Sequence, residues 1–333
     1  MRISVISFTQ NGDKLNSLLA DVFSDEEVIQ SGYGVSKRSC TLSEWTEKAF
    51  NKSDAIIFIG AVGIAVRAVA PYIKSKDVDP AVIVTDEKGR FVIPVLSGHI
   101  GGANRLARRI ASAIGGTAVI TTATDINGVW AADEWAAENG CAVYNKGEIR
   151  HISGAMLRGE EVGILSRFPV CGKLPAGTEH RKCGKYGVLI SNKPEYPFEH
   201  TLVLIPKIIS IGAGSRSGAD PDELIELYKT VKGKLDFEQC AVECVATIDI
   251  KQGEKSIELL ASHIGCGLDF YSAEELNSVN GSFTGSDFVK KVTGVDNVCE
   301  RAAVMRGGRL ILKKVSGKGV TLAAAKREYT VNF

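Results

Sequence analysis

Short runs of apolar and β-branched residues alternate with helix-patterned segments along this chain, and this alternation restricts its fold more than any other feature. Alternation of this kind is typical of mainly parallel β-sheets covered by helices. In the first part of the chain we predict strands at 3–8, 55–60, 81–85, 91–96 and 118–122, and helices at 13–22, 63–70, 101–114 and 128–138.

The pattern changes near residue 142. Strand candidates at 162–165, 186–191 and 201–205 are separated by turn-rich stretches, and no long helix is predicted among them. A second alternating region follows, with strands at 208–212, 245–250, 268–272 and 310–314 and helices near 221–230, 255–264, 287–292 and 298–305. The sequence therefore predicts two α/β units with mainly parallel sheets, joined by a small β-rich middle module. The predicted domains are residues 1–140, 141–206 and 207–333.

The composition excludes several classes of partner. The 333 residues carry a net charge of +1, which argues against nucleic acids and membrane surfaces. The apolar runs are much shorter than the roughly 20 residues that a membrane span needs, and the N-terminus begins as a strand rather than as a secretory signal. The eight cysteines form no C-x-x-C pair, so we expect no metal site and buried, reduced thiols. These features predict a soluble cytoplasmic protein.

Three strand ends in the first α/β region are followed by glycine or other small residues, which is where open α/β sheets bind ligands. The three segments contain, in order, Gly60, Gly63 and Arg67; Ser97, Gly98, His99, Gly101, Gly102, Asn104 and Arg105; and Thr122, Thr124 and Asp125. In the second segment the glycines let the backbone approach a ligand, and a single histidine lies among them.

The residues alone leave two interpretations open for these segments. Histidine titrates near neutral pH and suits acid–base chemistry, but a solvated His99 in a tight strand-to-helix turn is equally consistent with the sequence. Asp125 and Asn127 have a comparable alternative, because both residue types commonly cap helices.

In the second α/β region a glycine loop contains Gly212, Gly214, Ser215, Arg216 and Gly218. Its spacing, G-x-G-x-x-x-G, departs from the dinucleotide fingerprint, and no acidic residue closes the following strand, so NAD or FAD binding is weakly supported. A basic, glycine-bearing turn with Lys314 and Lys318 lies between two strand-like runs. A solvated hairpin is its simplest interpretation.

Together these segments resemble the cobalt-precorrin 5A hydrolases of the anaerobic cobalamin biosynthesis pathway. The resemblance covers nearly the whole chain and rests on residues 60–67, on S-G-H-x-G-G-A-N within 95–104, on T-T-A-T-D within 120–125 with 133–135 after it, and on 246–251, 270–276, 298–303 and 316–321. One departure is Ser215, which stands where the family commonly has a cysteine in its C-terminal glycine loop. The middle stretch carries no motif that matches.

The resemblance implies a reaction. The enzyme opens the δ-lactone of cobalt-precorrin 5A with water and releases a two-carbon fragment as acetaldehyde, giving cobalt-precorrin 5B. It implies no protein-bound cofactor, because the substrate carries the cobalt. His99 is expected as the base, with backbone N–H groups of Gly101 and Gly102 as oxyanion donors and Asp125 or Glu300 assisting the second step.

Basic side chains near the loops are expected to bind the substrate carboxylates. The predicted substrate-binding residues are Gly60, Gly63, Arg67, Ser97, Gly98, Gly101, Gly102, Asn104, Arg105, Thr122, Thr124, Gly212, Gly214, Ser215, Arg216, Thr247, Lys314 and Lys318. A homodimer and transient contacts with other enzymes of the cobalamin pathway are compatible with the sequence. Two alternatives stay open, a non-catalytic carrier of corrinoid intermediates and a nucleotide-dependent oxidoreductase.

Overall fold

The computed structural model describes residues 1–32, 40–75, 78–99, 101–216 and 218–333. These residues form two compact units, Met1–Trp135 and Ala136–Phe333. Among them, none of the helices combines the length and the apolar character needed to cross a lipid bilayer. The division into three domains at residues 140 and 206 stays a prediction.

The first unit is built on a six-stranded sheet with the order β2-β1-β3-β4-β5-β6. Its strands are β1 (Arg2–Ser7), β2 (Glu27–Ser31), β3 (Ala55–Ile59), β4 (Ala81–Thr85), β5 (Phe91–Leu96) and β6 (Thr117–Ala118). Its helices are α1 (Gln10–Val22), α2 (Leu42–Lys52), α3 (Val62–Val69), α4 (Ala103–Ile114), α5 (Ala123–Ile126) and α6 (Ala132–Glu138), the last of which extends past residue 135.

Helices cover both faces of this sheet. Leu19 of α1 and Ile110 of α4 pack with alternate strand residues on one face, and Phe50 of α2 and Val69 of α3 pack on the other. Every residue of β3 and β4 is buried, as expected for strands that are covered on both faces. The apolar runs that predicted these strands therefore form the centre of the core.

Strand β5 reverses the direction of the sheet. It pairs antiparallel with β4, whereas β1 to β4 are parallel to one another and β6 is parallel to β5. The reason is the short connection between β4 and β5, in which Asp86 accepts hydrogen bonds from the backbone N–H groups of Lys88 and Phe91. A turn of this length joins antiparallel neighbours only. The carboxyl end of β5 therefore lies at the amino edge of β3 and β4.

Most predicted elements of this unit are confirmed, with three exceptions. The strand predicted at 118–122 is wrong, because pairing ends at Ala118 and the chain continues into α5. Of the helix predicted at 128–138, only residues 132–138 are helical, as α6. Helix α4 begins two residues later than predicted, because Gly102 has a left-handed conformation (φ 79°). Strand β2 and helix α2 were not predicted.

The second unit begins with a five-stranded sheet of order β10-β8-β11-β12-β7, parallel except for β7. Its elements are β7 (Cys141–Val143), α7 (Ile149–Leu157), β8 (Val162–Ser166), β9 (Val170–Cys171), β10 (Thr178–His180), β11 (Gly184–Ile190) and β12 (Phe198–Pro206). The predicted strands of this β-rich region are confirmed, and α7 is an unpredicted helix of 9 residues.

The rest of the unit contains a second five-stranded sheet, of order β15-β14-β13-β17-β16. Its strands are β13 (Ile209–Ser215), β14 (Val242–Ile248), β15 (Gly267–Tyr271), β16 (Arg309–Gly317) and β17 (Val320–Lys326), and a short β18 (Val331–Asn332) pairs with β9. The helices are α8 (Pro221–Lys232), α9 (Lys255–Ile264), α10 (Ala273–Ser278), α11 (Asp287–Thr293) and α12 (Val298–Val304).

Strands β13 to β15 are parallel, but β16 and β17 form an antiparallel hairpin. Its two-residue turn consists of Lys318 (φ 42°) and Gly319 (φ 86°), and positive φ at both positions matches the twist of a tight hairpin. The predicted hairpin is confirmed. The α/β class with mainly parallel sheets is also confirmed, and this hairpin is its antiparallel addition.

The cysteines differ in burial. Cys141, Cys244 and Cys299 are buried as predicted, whereas Cys171 and Cys183 are exposed. All eight are free thiols.

Candidate active site

The loop between β5 and α4 presents His99 from a tight turn. Ser97 has a left-handed conformation (φ 57°), and a Cβ atom on Gly101 would lie 2.3 Å from Cβ of Ser97, so only glycine fits there. The backbone N–H of Gly102 donates to the carbonyl of His99 (2.9 Å), and that of Asn104 donates to the carbonyl of Gly98 (3.0 Å). The Gly102 N–H is thus already used, which argues against its predicted role as an oxyanion donor.

The imidazole of His99 lies between two carboxylates. Its Nε2 atom is 3.2 Å from Oδ2 of Asp125 and 3.1 Å from Oγ1 of Thr124. Its Nδ1 atom is 3.5 Å from Oδ2 of Asp133, longer than a normal hydrogen bond. The histidine side chain is 18% exposed and both aspartates are less exposed. Of these three side chains, the imidazole is therefore the one most accessible to solvent.

Asp125 is held in place from several directions. Asn104 Nδ2 donates to Asp125 Oδ2 (2.9 Å) and to Thr122 Oγ1 (3.1 Å), and Arg108 forms an ion pair with the other carboxylate oxygen of Asp125. Burial works to raise the pKa of Asp125, but the hydrogen bonds from Arg108 and His99 outweigh it and hold that pKa below its usual value. Asp125 is therefore an anion that orients the ring, rather than a solvated helix cap.

The carboxylates change the acid–base character of His99. The Asp133 carboxylate, followed by that of Asp125, outweighs partial burial and raises the pKa of His99 from 6.5 to about 9. The ring is therefore an imidazolium at neutral pH. The prediction that His99 acts as a base changes accordingly, because an imidazolium must donate a proton before it can accept one.

Asp133 is a site residue that the sequence prediction did not include. It is 5% exposed, and its Oδ1 atom is buried without a hydrogen-bond partner in the described part of the chain. It lies in the first turn of α6, which follows α5 closely, and residues 133–135 belong to the resemblance without an assigned role. The proximity of α6 to the His99 loop was the missing information.

We expect Asp133→Asn to lower the pKa of His99 from about 9 toward 6.5, because the neutral amide no longer stabilises the imidazolium. An NMR pH titration of the His99 ring would measure this. The other four histidines lie at positions 151–263, in the second unit, so Asp133→Asn should shift the titration of His99 alone. Asp25→Asn, at an exposed position of the same unit, is the control and should leave the pKa unchanged. An unchanged pKa in Asp133→Asn would contradict the assignment.

The predicted residues of the first unit fall into two groups. Ser97, Gly98, Gly101, Gly102, Asn104, Thr122 and Thr124 surround His99 and Asp125, and Arg105 lies on the exposed side of α4 beside Gly102. Gly60, Gly63 and Arg67 follow β3 at its carboxyl end, where Gly60 N–H donates to Thr85 O. Because β5 runs in the opposite direction to β3 and β4, the two groups lie at opposite ends of the strands, one strand length or about 17 Å apart.

The second unit contains a pocket of about 1010 Å³ at the carboxyl ends of β13 and β14. Six of the predicted residues line it, namely Gly214, Ser215, Arg216, Thr247, Lys314 and Lys318. The sequence prediction missed Lys251, which also lines it and forms an ion pair with Glu254 (3.2 Å). The pocket thus brings together the glycine loop and the basic hairpin.

Glu300 and Gly212 have structural positions instead. The carboxylate of Glu300 is fully buried and accepts hydrogen bonds from Thr284 N–H (2.7 Å), Asn297 Nδ2 (2.9 Å) and Lys314 N–H (2.6 Å). A Cβ atom on Gly212 would lie 1.7 Å from the carbonyl oxygen of Cys299, so this glycine allows α12 to pack on β13. Neither residue lines the pocket.

Within the described ranges, one group of side chains has the donor set of a metal site. The donor atoms of Glu148, His151 and His200 lie within 4.8 Å of one another. Arg150 Nε donates to His151 Nε2 (3.4 Å), so a cation already occupies this side of the group. That arrangement disfavours a second cation.

Models of one protein family match three consecutive stretches of this chain. Residues 44–125 match the family model for the N-terminal part of cobalamin synthesis protein G, residues 130–206 match its central region, and residues 209–325 match its C-terminus. The matched regions define a class of cobalamin biosynthesis protein with three consecutive parts.

Among curated proteins, the cobalt-precorrin-5A hydrolase of Salmonella typhimurium is 32% identical over 83% of this chain and 82% of its own length. That of Priestia megaterium is 28% identical over 98% of this chain and 95% of its own length. The chain belongs to the cobalt-precorrin-5A hydrolase family. A solved structure, a putative cobalamin biosynthesis protein G homolog from Sulfolobus solfataricus, is 25% identical with a TM-score of 0.45, covering 98% of this chain and 97% of that one.

Proposed function

We propose that this chain hydrolyses the δ-lactone of cobalt-precorrin 5A and then releases acetaldehyde, giving cobalt-precorrin 5B. The observation that carries the proposal is the position of His99 between Asp125 and Asp133, in a chain of this family. The two-step reaction needs a proton donor, a proton acceptor and a group that can change between these roles. A histidine between two carboxylates can provide all three.

In the first step His99 acts as an acid. With a pKa of about 9 the ring is protonated at neutral pH, so it stabilises the negative charge that develops on the lactone as water attacks. When the ester C–O bond breaks, the imidazolium gives its proton to the leaving alkoxide. The products of this step are the ring acetate and a free hydroxyl group on the two-carbon fragment.

The attacking water must also lose a proton, and Asp133 is the proposed acceptor. Its Oδ1 atom has no partner in the described residues, and its Oδ2 atom faces Nδ1 of His99 at 3.5 Å. The proton taken from water stays on Asp133 during this step, so the ring, which has given its own proton to the leaving alkoxide, is left neutral. Asp125, which Arg108 and Asn104 already hold, orients the ring on the opposite side.

In the second step a base takes the proton of the new hydroxyl group. The carbon–carbon bond to the macrocycle then breaks, acetaldehyde forms, and the bonding electron pair passes to the conjugated macrocycle with its cobalt, which is later protonated. The substrate performs the difficult electronic part, as cofactors commonly do. His99 is the proposed base, because the first step leaves it neutral. No resident cofactor is needed in this scheme.

The test is formation of acetaldehyde from the lactone intermediate by the purified protein. We expect alcohol dehydrogenase and NADH, added to the reaction, to show one acetaldehyde released per lactone opened. A carrier of corrinoid intermediates would bind the coloured substrate without releasing acetaldehyde. That outcome, with the Salmonella typhimurium hydrolase active in parallel, would refute the proposal.

A further inference from the structure

The turn that presents His99 begins with a residue in an unfavourable backbone conformation. Ser97 has a φ of 57°, in the left-handed region that residues with a side chain rarely adopt. In this conformation its carbonyl oxygen accepts the backbone N–H of Ala103 (3.1 Å), the first residue of α4. The carbonyl of Gly98 accepts the N–H of Asn104 in the same way. The conformation of Ser97 thus directs two carbonyl groups at the start of α4.

These two carbonyls take the place of a side-chain cap. The N-cap residue of α4 is Gly102, which has no side chain that could accept a hydrogen bond from the first N–H groups of the helix. The carbonyls of Ser97 and Gly98 accept two of these N–H groups instead. The His99 turn and the start of α4 therefore form one hydrogen-bonded assembly, which β5 enters at Ser97.

The side chain of Ser97 holds this assembly to the neighbouring strand. Its hydroxyl donates a hydrogen bond to the backbone carbonyl of Asp79 (2.9 Å), and the contact is partly buried. Asp79 lies just before β4, and Val82 of β4 pairs with Leu96 of the antiparallel β5. The reversal of β5 therefore brings Ser97 beside Asp79, although the two residues are 18 positions apart.

Asp79 is itself held by a closed turn. The residue is 6% exposed, and both oxygens of its carboxylate accept the backbone N–H of Lys74 (3.1 Å each). Its own N–H donates to the carbonyl of Ser75 (3.0 Å). A carboxylate acceptor makes such a hydrogen bond stronger than one between neutral groups. The carbonyl that Ser97 contacts is therefore a fixed point rather than part of a loose loop.

From these contacts we infer that Ser97 and Asp79 are positioning residues for His99. Asp79 fixes its own carbonyl, the Ser97 hydroxyl binds that carbonyl, and the resulting backbone conformation places the imidazole between Asp125 and Asp133. The hydroxyl of Ser97, a predicted substrate-binding residue, is then used within the protein. The importance of the ring for the reaction rests on the proposed function. Its position against the two carboxylates is a separate property that can be measured without substrate.

Ser97→Ala tests the hydroxyl alone, because alanine keeps the Cβ atom and with it the same unfavourable backbone conformation. Without the hydrogen bond to Asp79, we expect the ring to lie less closely against its carboxylates. The pKa of His99 should then fall from about 9 toward 6.5. Acetaldehyde release should fall about 10–100-fold, because a small displacement of a reacting group lowers the rate strongly. NMR titration of the ring and the coupled dehydrogenase assay measure the two effects.

Ser17→Ala is the matched control. The hydroxyl of Ser17 also donates to a backbone carbonyl, that of Asp13 (3.2 Å), in a partly buried contact within α1. This variant loses a hydrogen bond of the same kind in the same unit. It should leave the pKa of His99 unchanged and keep acetaldehyde release within about twofold of the wild-type rate.

Asp79→Ala tests whether the two residues act through one another. Alanine keeps the carbonyl that Ser97 contacts but removes the acceptor for the N–H of Lys74. The pKa of His99 should fall in this variant too, by less than in Ser97→Ala. The double variant should resemble Ser97→Ala alone, because the Asp79 carbonyl no longer has a partner through which to act. Additive effects would show that Asp79 reaches the site by another route and would remove it from the inference.

The outcomes separate this inference from the proposed function. If the pKa of His99 in Ser97→Ala equals that in Ser17→Ala, the hydroxyl does not position the ring and the inference is wrong. If that pKa falls but the wild-type protein releases no acetaldehyde from the lactone, the positioning role stands and the proposed function fails. Ser97→Gly provides a second variant should Ser97→Ala fold poorly. Glycine adopts the left-handed conformation readily and also lacks the hydroxyl, so it should lower the pKa of His99 as well.

Discussion

Replacing His99 with glutamine is expected to lower the rate of acetaldehyde release by about 10²–10⁴-fold, the usual contribution of a positioned acid–base group. Glutamine preserves a polar side chain of similar reach but cannot exchange a proton. The contacts with Thr124 and Asp125 can partly persist, so the loop should keep its conformation. The coupled dehydrogenase assay under single-turnover conditions would measure the effect.

The pH dependence gives an independent check on the same residue. Because the first step needs the protonated ring, the rate of lactone opening should be constant from neutral pH to just below the pKa of His99, about 9, and fall as pH rises through it. A neutral base would give the opposite slope. In Asp133→Asn the decline should begin at lower pH, since the pKa of the ring falls toward 6.5.

His151→Gln is the matched control for His99→Gln, because His151 is half-buried in the second unit and belongs to neither candidate site. It should retain acetaldehyde release within about twofold, the size of a neutral surface change. Equal activity of the two variants would remove His99 from the mechanism and with it the role proposed for Asp133.

Replacing Glu300 with alanine is expected to lower the free energy of unfolding by about 3–5 kcal/mol. The carboxylate is the acceptor for two backbone N–H groups, those of Thr284 and Lys314, and for the amide of Asn297. The buried amide of Asn297 would be left without this acceptor, at a cost of about 1–3 kcal/mol, and the part-buried N–H groups of Thr284 and Lys314 would lose theirs as well. Urea denaturation followed by circular dichroism would measure the loss.

Glu274→Ala, at an exposed position of α10, serves as the control and should change stability by no more than about 0.5 kcal/mol. Glu300→Gln distinguishes structure from catalysis, because it keeps one acceptor oxygen and removes the charge. A structural residue gives a less stable protein that still releases acetaldehyde. Full stability with no acetaldehyde would mean instead that Glu300 acts in the reaction.

The sequence could group the residues around His99 because most of them lie in one turn. The glycines at 98, 101 and 102 and the histidine among them lie in one turn, and the turn chemistry follows from residue type alone. Asp133 was missed because its contact with His99 depends on how α6 packs beside the loop. Packing between elements leaves no mark on the spacing of residues within either of them.

The sequence also did not reveal in which direction each strand runs. The turn at residues 86–90 reverses β5, and this reversal places Gly60 and Arg67 at the far edge of the sheet from His99. A glycine after a strand indicates a strand end but not which edge that end occupies. Glu300 shows a related limit, because a charged residue in a motif can be either a ligand contact or a buried acceptor, and only its surroundings distinguish them.

The reversed strand also makes the first unit convenient to modify. Since the turn after β3 and the imidazole lie at opposite ends of the strands, a peptide tag, fluorophore or fusion partner can be attached at Ala61 without touching His99 or Asp125. Natural insertions at that turn should be tolerated for the same reason. Chains of differing length there can therefore share one chemistry.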